Sequence, residues 1–135
     1  MARYVFIDGY LLINAVNMSA MAKKITLKTS ADNKPVPAFG DTYTVRLGGL
    51  KDYALDVDFN QDMAPAQVDA LLFPLLGTVQ TFEVRATSLA ASTANPAYRG
   101  SILVQDYTPI DGSVGDLAIA PASFPGAATL LRQTT

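Results

Sequence analysis

The sequence predicts a mainly β protein: an antiparallel β-sandwich or half-barrel of about seven strands with one flanking α-helix. Three observations carry that reading. Short apolar runs with period-two alternation recur along the chain, separated by clusters of Gly, Pro, Asn and Asp. A single stretch changes to the helical period. No alternation of strands with long helices points to a parallel sheet.

Residues 50–77 hold both periods. Tyr53, Leu55, Val57 and Phe59 alternate with Ala54, Asp56 and Asp58, the pattern of a strand with one buried face. Val68, Leu71, Leu72 and Leu75 then fall at i, i+3, i+4 and i+7, an amphipathic stripe. Asp62 fits an N-cap and Pro65 a first turn, which predicts a helix over about Asp62–Phe73. Pro74 restricts the residue before it and ends the helix, and Gly77 turns the chain back.

The other elements follow in order. Tyr4–Ile7 and Leu11–Val16 flank Asp8-Gly9 and read as a hairpin, or as an extended arm with one strand. Met21–Lys28 reads as a half-buried strand with Ile25 and Leu27 inward. Residues 29–41, with two prolines, a glycine, two aspartates and an asparagine, read as a long loop. A loop of that length in a small domain has a function or is disordered. Phe39 near its end is out of place in solvent and suits a contact. Thr42–Leu47 reads as a strand and Gly48-Gly49 as a turn. Thr78–Thr87 places Phe82, Val84 and Ala86 inward, with Glu83 and Arg85 outward. Ser88–Pro96 reads as a flexible connection. Tyr98–Tyr107 reads as one long strand in which Gly100 marks a bulge or a close backbone approach. Val114–Ala120 reads as a strand broken at Pro121–Gly126, with a last short strand or terminal arm after Ala127.

The length of 135 residues fits one domain. Its organisation reads as a body with an N-terminal arm (about 1–13), the long loop (about 29–41) and a C-terminal arm (about 127–135). There is no Cys, His or Trp. Disulfides, Cys/His zinc sites, thiol nucleophiles and a histidine general base are thereby excluded. Ten basic and twelve acidic residues give a formal charge of −2, which implies no basic surface for tight nucleic-acid binding. Charged residues make up 16% of the chain, against roughly 25% in soluble domains. Surface so poor in charge fits burial against neighbouring copies. No apolar run is long enough to cross a membrane, and Asp8, Asn14 and Asn17 interrupt the one region that imitates a signal peptide. Asn17-Met18-Ser19 matches a glycosylation sequon, a pattern common by chance.

Few residues suggest chemistry. Asp58, Asn60, Asp62 and Asp69 imitate a calcium loop, but Met63 stands where that loop needs Gly, and Asp69 where it needs Glu. Asp56 and Asp58 project from one strand face, where paired carboxylates could serve as acid and base. No nucleophile or second cluster accompanies them, and an acidic solvent face is the simpler reading. Asp111–Asp116 has glycines without the spacing of a phosphate loop. No catalytic residue, metal ligand or cofactor site is assigned, and an enzyme is not expected.

Four features taken together resemble a family. An acidic strand runs through Asp56–Asp62 into one helix ending at Leu76-Gly77. Val79–Arg85 follows. Asn95-Pro96-Ala97-Tyr98-Arg99-Gly100 then leads a long strand ending at Tyr107-Thr108-Pro109. Gly112–Asp116 feeds a further strand. This pattern, over about Ile25–Phe124, is similar to that of the major tail tube proteins of long-tailed (siphovirus-type) bacteriophages. The resemblance implies hexameric rings, stacked into a hollow tube for DNA passage. It implies a virion tail location after assembly in the host bacterial cytoplasm. The implied partners are further copies of the chain, the terminator, tape-measure and distal tail proteins, and transiently the passing DNA, with no membrane. Asp56 and Asp58 become candidates for an acidic lumen. Asn33, Lys34, Pro35, Val36, Pro37 and Phe39 become candidates for ring stacking. Arg46, Arg85 and Arg99 are the local departure, since basic residues in the lumen would hold DNA. The alternatives are another ring-forming virion component, a terminator or connector, and a β-barrel small-molecule carrier.

Overall fold

The computed structural model describes residues 5 and 7–134. Two antiparallel sheets face each other. One has five strands in the order β2-β1-β5-β6-β9 and the other four in the order β3-β4-β8-β7. The strands are β1 (Tyr10–Ile13), β2 (Val16–Asn17), β3 (Ala22–Pro35), β4 (Arg46–Asn60), β5 (Val79–Arg85), β6 (Ala97–Leu103), β7 (Asp106–Tyr107), β8 (Ile119–Pro125) and β9 (Leu131–Gln133), with one helix, α1 (Val68–Leu72). Among the described residues the mainly β class and the single helix agree with the expectation, while nine strands replace about seven.

Alternation builds the core. Tyr53, Leu55, Val57 and Phe59 of β4 and Ala120, Ala122 and Phe124 of β8 are buried. They meet Leu11 and Ile13 of β1, Phe82 and Val84 of β5, and Ile102 of β6 in one cluster. Val68 and Leu72 close it from α1, with Leu71 and Leu75 packed at its margin. Each fully buried Leu, Ile or Phe contributes about 1.5–3 kcal/mol relative to exposure.

The helix is shorter than its stripe suggests. The Asp62 carboxylate accepts a hydrogen bond from Ala64 N (2.9 Å), a local turn in place of a helix cap. Ala66 then takes a φ of 63°, which no right-handed helix admits. Helix therefore starts only at Val68, and at Pro74 the chain tightens into a 3₁₀ turn, Phe73–Leu75. Gly77 turns the chain with φ 84°, as expected.

Five further boundaries are corrected. The hairpin turn is Asn14-Ala15, both with positive φ, and Ile13 pairs with Val16 across it. Tyr4 and Phe6 of the expected first run lie outside the described residues, as do residues 1–3, while Tyr10–Ile13 of the expected N-terminal arm form β1. Residues 29–35 of the expected loop are strand, paired from Thr29↔Tyr53 to Pro35↔Arg46. Gly48-Gly49 is not a turn but lies inside β4, where Gly49 and Leu50 bulge opposite the single residue Asp32, and a Cβ on Gly49 would meet Asp32 Cβ at 2.8 Å. The long strand over Tyr98–Tyr107 divides at Val104 and Gln105, where the chain passes from one sheet to the other. Pro121 interrupts nothing: β8 begins at Ile119 and runs on to Pro125, while Val114 and Leu117 of the expected strand are exposed. The Pro121 carbonyl accepts from Thr108 N (2.9 Å), on the β7 side. Its missing N–H falls on that same side, and the ladder to β4 is intact. Of the expected C-terminal arm, Leu131–Gln133 pairs with β6 as an edge strand.

Candidate self-assembly surfaces

β4 pairs with β8 only from Ala54↔Pro125 to Asn60↔Ile119. Beyond Ala54, β3 and β4 continue as a two-stranded arm that pairs with no third strand among the described residues. Every residue from Lys28 to Asp52 is exposed. The arm spends seven residues of β4, Arg46–Asp52, on its ladder, as many as the body does over Ala54–Asn60. At about 3.3 Å per residue each stretch is about 23 Å long, so the arm matches the height of its own sheet. Its tip is ordered by short-range bonds. Val36 N donates to Val45 O (2.7 Å) and Ala38 N to the Asp41 carboxylate (2.9 Å), and Gly40 supplies a φ of 90°.

The arm is apolar for an exposed element. Phe39, Tyr43, Leu47 and Leu50 are 109%, 86%, 61% and 84% exposed. An isolated hairpin is marginal in water, and a long exposed edge is a template for pairing. Of the candidate stacking residues, Asn33, Lys34 and Pro35 lie at the end of β3, and Val36, Pro37 and Phe39 lie in the tip.

The outer face of the four-stranded sheet carries the acidic pair. Asp56 is exposed and Asp58 half-buried. The register sets Asp106 of β7 beside Ser123 of β8, and Ser123 beside Asp56. Ser123 Oγ donates to Asp56 Oδ1 (2.8 Å). These carboxylates line one shallow cleft of about 390 Å³ together with Tyr107, Thr108 and Pro121. Sequence reading missed Asp106 because its neighbour across the face depends on the register of β8, which no local pattern fixes. Lys24 and Thr26 on β3 pair with Asp58 and Asp56 at the margin. Among the described residues both edges of this sheet are open: β3 has no partner on its outer side, and β7 covers two residues of β8.

The calcium-like run is pulled apart. Asp58 faces the cleft, Asp62 binds Ala64 N, and Asp69 accepts from Tyr107 Oη (3.0 Å). Tyr107 also accepts from Gln61 Nε2 (2.9 Å). Burial raises the Tyr107 pKa; the bond from Gln61 opposes it, and the bond to Asp69 and the charge of Asp69 add to the rise. Among the described residues no three metal-ligating side chains converge.

Two of the three basic departures sit on the other sheet. Arg85 Nε lies 3.5 Å from Glu83, Arg99 Nε donates to the same carboxylate, and Arg99 also bonds Gln133. The Arg85 guanidinium stacks 3.9 Å from the Tyr10 ring centroid. Glu83 points outward as expected but is buried (8% exposed) beneath these arginines. Arg46 lies on the arm. The connection after β5 is also not free: Asn95 is buried and donates to Leu89 O (2.9 Å), and the Asp8 carboxylate accepts from Ser88 Oγ (2.7 Å). The Ser88 bonds hold the Asp8 carboxyl below its usual pKa.

No family model matches the sequence, and no curated protein is similar to it by sequence. Solved structures match the fold. One is a chain of the virion of a native gene transfer agent particle, with a TM-score of 0.69 and 17% identity over 91% of this chain and 95% of that one. Another is a chain of the tail of an empty gene transfer agent particle, refined with C6 symmetry, with a TM-score of 0.68 and 16% identity over the same shares. This chain shares its fold with those chains of gene transfer agent particles.

Proposed function

We propose that this protein is a structural subunit of a phage-like tail, in which six copies form a ring and rings stack into a hollow tube that passes DNA. The observation that carries the reading is the arm: an exposed, partly apolar ladder as long as the body, which needs cover from another copy. The C6 symmetry of one matching tail supports six copies per ring. The open edges of the four-stranded sheet support lateral pairing, β3 of one subunit against the β7–β8 edge of the next. Pairing of that kind closes the sheets into a barrel whose wall is the face bearing Asp56, Asp58 and Asp106. An acidic wall repels phosphate, so DNA slides along it. The role is mechanical, with no catalysis and no cofactor. The tube of a siphovirus-type particle, assembled in the bacterial cytoplasm and contacting terminator, tape-measure and distal tail proteins, fits this arrangement.

Negative-stain microscopy of concentrated protein tests it. Hollow tubes with six-fold end views are expected. Compact monomers under every condition would overturn the reading, and single rings that never stack would favour a terminator or connector.

A further inference from the structure

Two surfaces lie at opposite ends of the four-stranded sheet. At the Ala54 end, where the arm leaves the body, a groove of about 990 Å³ opens between the arm and the segment after β8. Its walls are largely small or apolar: Ala31, Gly49, Leu50, Gly126, Ala128 and Leu130. At the Asn60 end, the loop between β7 and β8 protrudes. It is held firmly, with Gln61 N donating to Ala118 O (3.2 Å), Ile119 N to Asp111 O (3.1 Å) and Gln61 Nε2 to Pro109 O (2.6 Å). From this fixed loop Ile110, Val114 and Leu117 project into solvent at 83%, 105% and 69% exposure. An ordered loop that presents three large apolar side chains is shaped as a knob.

We propose that the groove at the base of the arm receives the Thr108–Ala118 loop of a second copy stacked head to tail, with Val114 and Leu117 as the inserted side chains. Three observations select this occupant. Copies stacked in one orientation along β4 bring the Ala54 end of each toward the Asn60 end of the next, so groove and loop face each other. A heterologous contact needs two different patches that are complementary, and one that does not close generates a filament. The loop carries Asp111 and Asp116 with no Lys or Arg, while Lys51 and Asp52 together line the groove, which offers the loop one cation and no net charge of its own. The inference rests on the tail-tube reading and names the contact that stacks its rings.

The chain has no cysteine, so a disulfide test needs no background removal. Val114→Cys and Ala128→Cys proteins are made separately, mixed, assembled and oxidised. A covalent dimer is expected in the mixture and in neither protein alone. The full-length double variant V114C/A128C is expected to give a ladder of oligomers. In a second arm, V114D/L117D should raise the critical concentration for tube formation about tenfold or more, because two apolar contacts are lost. Circular dichroism checks that fold is kept, as both side chains are exposed. Wild-type tubes together with no mixed disulfide, or V114D/L117D tubes at the wild-type threshold, would overturn the groove-and-loop contact alone. Failure of wild-type protein to form rings or tubes would overturn the tail-tube reading and this contact with it.

Discussion

The Tyr53 ring fills the space that a side chain at Gly126 would need: a Cβ there would lie 2.7 Å from Tyr53 Cζ. Tyr53 Oη donates to Ser101 O (2.7 Å), and a Cβ at Gly100 would meet the same hydroxyl at 2.8 Å. One tyrosine of β4 thus bonds the backbone of β6 and locks the two sheets face to face. The glycines are required by its bulk. Gly126→Ala and Gly100→Ala are expected to destabilise the fold by about 1–3 kcal/mol through overpacking. Tyr53→Phe, which keeps the ring and loses the bond, is expected to cost about 1 kcal/mol. Urea titration of the monomer measures both, and an unchanged midpoint for Gly126→Ala would show that the ring moves aside freely.

The β1–β2 turn holds Ala15 at a φ of 60°. The left-handed region costs a non-glycine residue about 1–2 kcal/mol, and a two-residue turn of this hand prefers Asn-Gly. Ala15→Gly should therefore stabilise the protein, by about 0.5–1 kcal/mol once the greater freedom of glycine in the unfolded chain is subtracted. A rise in the thermal midpoint is the expected readout, and a fall would mean that the Ala15 methyl makes a contact worth more than the strain.

The arm contributes nothing to the core, because the buried residues of β4 begin at Tyr53. Replacing Val36–Val45 by Asn-Gly, which joins the paired residues Pro35 and Arg46 by a tight turn, should leave the thermal midpoint within a few degrees of wild type and abolish or severely weaken stacking. Sedimentation of assembled material checks the second effect. An unfolded variant would mean that the tip is structural, and normal tubes would mean that stacking lies elsewhere.

The sequence made the body legible where alternation is strict. Tyr53, Leu55, Val57 and Phe59, and the stripe Val68, Leu71, Leu72 and Leu75, fall on the core as their periods require. It misled where a cross-strand partner overrides local preference. Residues 29–35 and Gly48-Gly49 carry loop chemistry, yet β3 and β4 zip together around a bulge at Gly49-Leu50, and hydrogen-bond pairing outweighs turn propensity there. Pro121 was a misleading breaker because only one of its two sides needs a donor. Of the candidate surface, Asp56 and Asp58 were readable as one face, but Asp106 joined them only through the register of β8. The Asp62 cap failed for the reason that makes aspartate a good cap: its carboxylate reaches any nearby N–H, and Ala64 N is nearer than a helix.

If the face carrying Asp56 and Asp58 lines a conduit, its charge governs how DNA moves. Asp56 is exposed and makes one bond, to Ser123 Oγ, so Asp56→Lys together with Asp58→Lys should fold and assemble. The double change moves the face by four charges per subunit and adds two lysines beside Lys24. Each new lysine–phosphate contact steepens the salt dependence of binding by about 0.9 in log–log slope, so the variant should hold duplex DNA more tightly at low salt, with a slope steeper by up to about 2 for each engaged subunit. Wild-type tubes should bind weakly under the same conditions. Fluorescence anisotropy of a short labelled duplex, titrated with assembled tubes at several salt concentrations, separates the cases. Equal binding by wild-type and variant tubes would place this face away from the DNA and leave the outer face of the five-stranded sheet, with Arg85 and Arg99 clamped on Glu83, as the one to test next.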